Sequence, residues 1–184
     1  MPKIIVTSRY LKCGSKKKLK NYVKYIATRE GSVPTVRERE NYVGYLANRP
    51  NSHGLFYEKD DPINLEKTAK EIADHGGNVW THVVSLRRDD AQKMGYDNLK
   101  AWRDLVITQI PSIAKNQKID LKNLRWYAAF HDKKTNPHIH IIVYSQNEGE
   151  VFLMNHGIEK IRIGFTHDIY SDELHHLYEQ QTDL

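Results

Sequence analysis

Leu124-Arg-Trp-Tyr-Ala-Ala-Phe-His131-Asp-Lys-Lys-Thr-Asn-Pro-His138-Ile-His140-Ile-Ile-Val-Tyr-Ser145 is the stretch that decides the fold. Two runs rich in aromatic and β-branched residues, 124–130 and 138–145, flank a polar segment ending in Asn136-Pro137, which is the pattern of two strands and a turn. If His131 pairs opposite His138, then Ala129 pairs opposite His140 and Tyr127 opposite Ile142. Directly opposed residues share a face, and so do residues two apart in one strand. All three histidines then project from one side of the hairpin. Phe130, Ile139, Ile141 and Val143 project from the other side, into a core.

Opposed β-carbons lie roughly 4.5–5.5 Å apart, and imidazole nitrogens bind a divalent metal at about 2.0–2.2 Å. Three rings on such a patch can converge on one ion. Neutral imidazole suits zinc, nickel and manganese, with positions left open for water or phosphate oxygens. The residues alone leave two readings, a metal site or a surface hairpin whose histidines bind nothing.

Working outward, Val79–Leu86 is a further strand by its β-branched and aromatic content. Lys3–Thr7, with Ile4, Ile5 and Val6 in a row, suits a buried first strand. Leu19, Tyr22, Val23 and Ile26 recur at helical spacing, and Gly31 and Pro34 end that helix. Leu65–His75 reads as a helix closed by Gly76 and Gly77. Asp89 or Asp90 can cap a long helix carrying Leu99, Trp102, Leu105, Val106 and Ile110, which Pro111 kinks or ends. The tail from His156 to Tyr178 reads as helical. Asn21–Arg29 and Asn41–Arg49 are near copies, with seven of nine paired positions identical or conservative. They are read as two short related helices, either truly repeated or merely sharing one amphipathic stripe.

The chain has 184 residues with 39% hydrophobic and 28% charged, which excludes disorder and suits one domain. Net charge is +5, which permits a nucleic-acid partner without requiring one. A lone Cys13 rules out an internal disulfide and fits a reducing compartment. No signal segment or run of 18 apolar residues is present, so a cytoplasmic protein is expected.

His131, His138 and His140 resemble the HUH signature, two histidines flanking a hydrophobic residue in a central strand. More narrowly, the chain is similar to MOBP-type mobilisation relaxases, particularly the MobL-like group of Gram-positive elements. Tyr22-Val-Lys-Tyr25-Ile26, followed by Ala27-Thr28-Arg29, resembles their first motif, an N-terminal helix bearing a nucleophilic tyrosine. The Val79–Arg88 strand and the C-terminal helix extend the likeness over most of the chain.

The resemblance implies an α/β (α+β) fold with a central antiparallel sheet of about five strands and helices on its faces. It implies one relaxase domain, 1–184, as the N-terminal part of a longer protein, acting as a monomer in the bacterial cytoplasm. The implied reaction is transesterification on single-stranded DNA at an origin of transfer beside a hairpin, leaving a 5′-phosphotyrosine. The implied cofactor is one divalent metal, Mn2+ or Mg2+ ahead of Zn2+ or Ni2+, held by His131, His138 and His140. Tyr25 is the first choice of nucleophile, then Tyr22, then Tyr45. Relaxosome accessory proteins and a type IV secretion coupling protein are the implied partners. Phenol, with a pKa near 10, is a better leaving group than an alkyl alcohol, so the adduct can be rejoined.

Asp132 either orients a ring or caps the turn. Arg87 and Arg88 contact phosphate or are solvated. Lys16, Lys17, Lys18, Lys20, Lys133 and Lys134 are candidates for the DNA backbone. Trp80, Trp102 and Trp126 stack on bases or pack in the core. The competing readings are a rolling-circle replication initiator, a metallohydrolase on the same histidines and a non-catalytic nucleic-acid-binding module. An initiator would carry its tyrosine after the His-x-His strand, where Tyr170 and Tyr178 lie.

Overall fold

The structure, a computed structural model, describes residues 3–11, 15–34, 54–59 and 61–182, without the side chains of 172–182. The second copy of the repeat, with Tyr45, lies outside the described residues, as do Cys13 and His53. The elements in order are β1 (Ile4–Leu11), α1 (Lys16–Thr28), β2 (Leu55–Phe56), α2 (Leu65–Asp74), β3 (Val79–Leu86), α3 (Arg88–Lys93), α4 (Leu99–Asn116), β4 (Leu124–His131), β5 (His138–Ser145) and α5 (Asn155–Thr182).

The five strands form one sheet in the order β1-β3-β5-β4-β2, antiparallel at every pairing. The β4–β5 register is His131↔His138, Ala129↔His140 and Tyr127↔Ile142, as the alternation of the hairpin demands. The histidine-bearing β5 is the central strand, so its side chains are placed by neighbours on both edges.

The two faces are separately covered. Phe130, Ile139, Ile141 and Val143 join Trp102, Val106 and Ile113 of α4 and Ile161, Phe165 and Ile169 of α5 in one buried cluster. On the histidine side, Leu19, Val23 and Ile26 of α1 pack with Ala69 and Ile72 of α2 over Val79, Ala129, Ile142 and Tyr144. Of the tryptophans, Trp102 and Trp126 are buried and Trp80 packs against the first cluster, so all three serve the core.

The sequence expectations need revision at three places. The helix begun near Asp89 breaks after Lys93, because Gly95 adopts a left-handed φ of 79°. A new helix starts at Leu99, where the Asn98 side chain accepts from the Ala101 N–H at 2.9 Å. Pro111 stays inside α4, which continues to Asn116. The first strand runs to Leu11 and is an edge strand with Ile5 46% exposed rather than the buried strand expected, since it lies at the end of the sheet beside β3.

His82 is a buried polar residue in the larger cluster's half of the sheet, 0% exposed, with its Nδ1 2.7 Å from Ser8 Oγ. Burial pulls its pKa down to about 4, with the neighbouring Gln117 side chain opposing. An unfolded chain would protonate the same ring near 6.5. As pH falls, the unfolded state takes up its proton first. Stability is therefore full above about pH 6.5 and is lost as pH falls towards 4, by about 3 kcal/mol for this ring. Urea unfolding of metal-free protein at pH 7 and pH 4.5 measures the loss, and His82→Gln is expected to shrink it. An equal loss in wild type and variant would assign the acid sensitivity to other groups.

Candidate metal centre

β4 ends on His131 and β5 begins on His138, so the register places both at the mouth of the hairpin with His140 one row inward. Ring centroids lie 4.7 Å apart for His131–His140, 5.0 Å for His131–His138 and 5.1 Å for His138–His140. One nitrogen from each ring lies within 4.8 Å of those of the other two. Two metal–nitrogen bonds of about 2.0–2.2 Å nearly cross such a span.

Each ring uses one nitrogen elsewhere. His131 Nε2 is 2.6 Å from the Ile26 carbonyl oxygen. His138 Nδ1 is 2.8 Å from the Asn136 carbonyl oxygen. His140 Nδ1 is 3.3 Å from the Tyr22 hydroxyl. A carbonyl can only accept, so His131 and His138 donate these bonds, which leaves lone pairs on His131 Nδ1 and His138 Nε2. His131 Nδ1 and His140 Nε2 are buried with no protein partner. Buried ring nitrogens seldom go unpaired, and a cation between them would satisfy both.

The rings are also kept neutral. Burial is the leading cause in all three, pulling His131 to about 4 and His140 to about 3 and lowering His138. Positive charge on Arg29 opposes protonation of all three, and Lys133 adds to this at His131 and His138. Metal ligation needs the neutral form, so the donor set fits a divalent ion.

α1 is fastened beside this cluster by its own C-terminal exit. Gly31, at a φ of 89°, turns the chain so that Ser32 bridges to His131. The Val33 N–H then donates to Phe130 O and the Asp132 N–H to Gly31 O. A β-carbon on Gly31 would stand 3.1 Å from Lys133 Cδ and Cε, so the lysine stem lies against this turn.

Tyr22 and Tyr25 both lie on α1, in different surroundings. Tyr22 is half-buried, and its hydroxyl is 2.9 Å from Thr81 Oγ1. Burial raises its pKa, with Thr81 and then Arg9 opposing. Tyr25 is 47% exposed, and the Arg29 guanidinium lies 5.0 Å from its ring centroid.

A family model for MobL relaxases matches residues 1–183. The chain belongs to the MobL relaxase family. No curated relative and no solved structure matches it.

The remaining sequence candidates of this MobL relaxase are placed as follows. Asp132 forms an ion pair with Arg88, while each histidine ring bonds to another group. Arg87 is the exposed N-cap position of α3, and Arg88 beside it also binds the Lys133 and Lys134 carbonyls. Lys16 pairs with Asp74 at 3.4 Å and Lys20 with Glu66 at 2.5 Å across to α2, whereas Lys17 and Lys18 are exposed. That basic run begins ten residues before Ile26, about 15 Å along the helix from the histidines. Lys133 and Lys134 lie in the hairpin turn itself. α5, which carries Tyr170, packs on the face opposite the histidines through Ile161, Phe165 and Ile169. No helix among the described residues is long and apolar enough to cross a membrane.

Sequence reading passed over Arg29 and Thr81. Arg29 was visible only as the last letter of a helix motif, and Thr81 as one β-former in a strand.

Proposed function

We propose that this relaxase nicks single-stranded DNA at an origin of transfer by transesterification, with Tyr25 as nucleophile and a divalent ion held by His131, His138 and His140. The observation that carries this reading is the set of three neutral imidazoles, each with one nitrogen within 4.8 Å of the others, beside the tyrosine helix. Such an ion, Mn2+ or Mg2+ by preference, would draw charge from the scissile phosphate.

The chain's own groups supply the rest. Tyr25 is exposed enough to meet a DNA strand, and the Arg29 guanidinium lies against its ring. The Tyr25 oxygen forms a bond to phosphorus as the bond to the 3′ oxygen breaks, and the proton given up by Tyr25 is balanced by the one taken up by the departing oxygen, which leaves as a 3′-hydroxyl. The phosphodiester energy is kept in the 5′-phosphotyrosine for rejoining. Arg29 and Lys133 offer cationic charge to the phosphates on either side of the nick, and Lys17 and Lys18 offer it further along the strand. This activity belongs to the cytoplasm, with accessory proteins, an adjacent DNA hairpin and a secretion coupling protein as partners.

The test is incubation of the full chain with Mn2+ and labelled oligonucleotides from the transfer region of its own element. A denaturing gel is expected to show DNA attached to protein, and EDTA to prevent it. Cleavage without attachment would point to a metallohydrolase instead. Binding without cleavage would leave only a DNA-binding module.

A further inference from the structure

Tyr22 occupies a place that its neighbour on α1 does not. Its hydroxyl lies 3.3 Å from His140 Nδ1 and 2.9 Å from Thr81 Oγ1, and Thr81 is 3% exposed on the adjacent strand β3. The register sets Thr81 opposite Ile142, one row inward of His140 on the same face. His140 Nε2, on the far side of the ring, is buried with no protein partner.

Proton accounting separates the possible arrangements. If Tyr22 donated to His140 Nδ1, the ring proton would sit on Nε2, pointing into a buried position with nothing to receive it. If His140 Nδ1–H donates to the Tyr22 oxygen, Nε2 keeps its lone pair and can bind a cation. The Tyr22 hydroxyl is then free to donate to Thr81 Oγ1. The second arrangement leaves no ring proton buried without an acceptor and keeps the Nε2 lone pair for a cation.

We infer that Tyr22 and Thr81 are positioning residues that hold His140 in the Nδ1–H tautomer and so preset its Nε2 for the metal. This rests on the metal reading above and adds a division of labour between the two tyrosines of α1. Tyr25 carries the attacking oxygen. Tyr22 keeps its proton, sharing it with Thr81, and acts only through His140. Outer groups of this kind typically change metal affinity by about 10–100-fold.

The test compares Mn2+ binding by calorimetry for wild type, Tyr22→Phe, Thr81→Val and Thr81→Ser, with melting of each metal-free protein as a folding check. Tyr22→Phe keeps the ring that packs beneath α1 and removes only the oxygen. Mn2+ affinity is expected to fall about 10-fold or more in Tyr22→Phe, less in Thr81→Val, and to recover in Thr81→Ser. Nitrogen-15 spectra of the metal-free histidines should show His140 protonated at Nδ1 in wild type and a mixture of tautomers in Tyr22→Phe. The DNA adduct of Tyr22→Phe should be lost at the Mn2+ concentration that suffices for wild type and return when Mn2+ is raised.

Unchanged Mn2+ affinity in Tyr22→Phe overturns the inference, as does His140 protonated at Nε2 in wild type. Normal Mn2+ binding with no adduct at any Mn2+ concentration also overturns it and transfers the attack to Tyr22. Failure of wild type to bind Mn2+, Mg2+, Zn2+ or Ni2+ would remove the metal reading itself.

Discussion

Tyr25→Phe is expected to leave no covalent DNA adduct at any metal concentration, while Mn2+ affinity and melting temperature stay near wild type. The substitution removes one oxygen from an exposed ring that contributes nothing to either core cluster. The stability change should therefore fall within the usual surface range of about 0.5 kcal/mol. Loss of the nucleophile should slow strand cleavage by at least about 10³-fold, a barrier increase of about 4 kcal/mol. Single-turnover cleavage followed on a denaturing gel measures the rate. A persistent adduct in this variant would shift the attack to Tyr22 or Tyr45, and the Tyr22→Phe metal titration would distinguish those two.

The second large effect is expected from His138→Ala. His138 sits half-buried at the rim of the site, and among the described residues its ring hydrogen-bonds to Asn136 O alone, so its loss should spare the fold. His131 is a poorer choice, because it is 0% exposed and its bond to Ile26 O ties α1 to the sheet. Two imidazoles would remain for the metal instead of three. Mn2+ affinity should fall by more than the roughly 100-fold that marks the upper end of outer-group effects. Adduct formation should fall with it and be only partly restored by excess Mn2+. His167→Ala, at an exposed position of α5 across the sheet, serves as the control and should match wild type. Wild-type affinity in His138→Ala would exclude this ring from the metal site.

The two variants are expected to fail in opposite ways, one binding metal without forming the adduct and the other losing both. That contrast separates the attacking group from the metal site, which a simple loss of nicking would not do.

The hairpin was legible in the sequence because its two constraints are local. Strand side chains alternate with period two, and Phe130, Ile139, Ile141 and Val143 must all be buried, so a slip of one residue would expose them. That requirement also places His131, His138 and His140 together, and the observed register agrees. The helix break at Gly95–Asn98 was equally local, a glycine followed by a good cap, and was masked by the strong apolar stripe on either side. β2 carried no comparable signal, since a two-residue edge strand is defined only by its partner, β4.

What tertiary packing settled is how the histidines are oriented. The bonds between His131 and Ile26 O and between His140 and Tyr22 span 105 and 118 residues. No local periodicity encodes such distances. They exist because α1 buries Leu19, Val23 and Ile26 against the sheet, which brings Tyr22 over Thr81 and turns the exit at Gly31 onto β4. His82 shows the same limit, since a strand histidine becomes buried only when helices close over its face. Residue types and alternation establish which rings can meet, and the docking of α1 sets which nitrogen each ring presents.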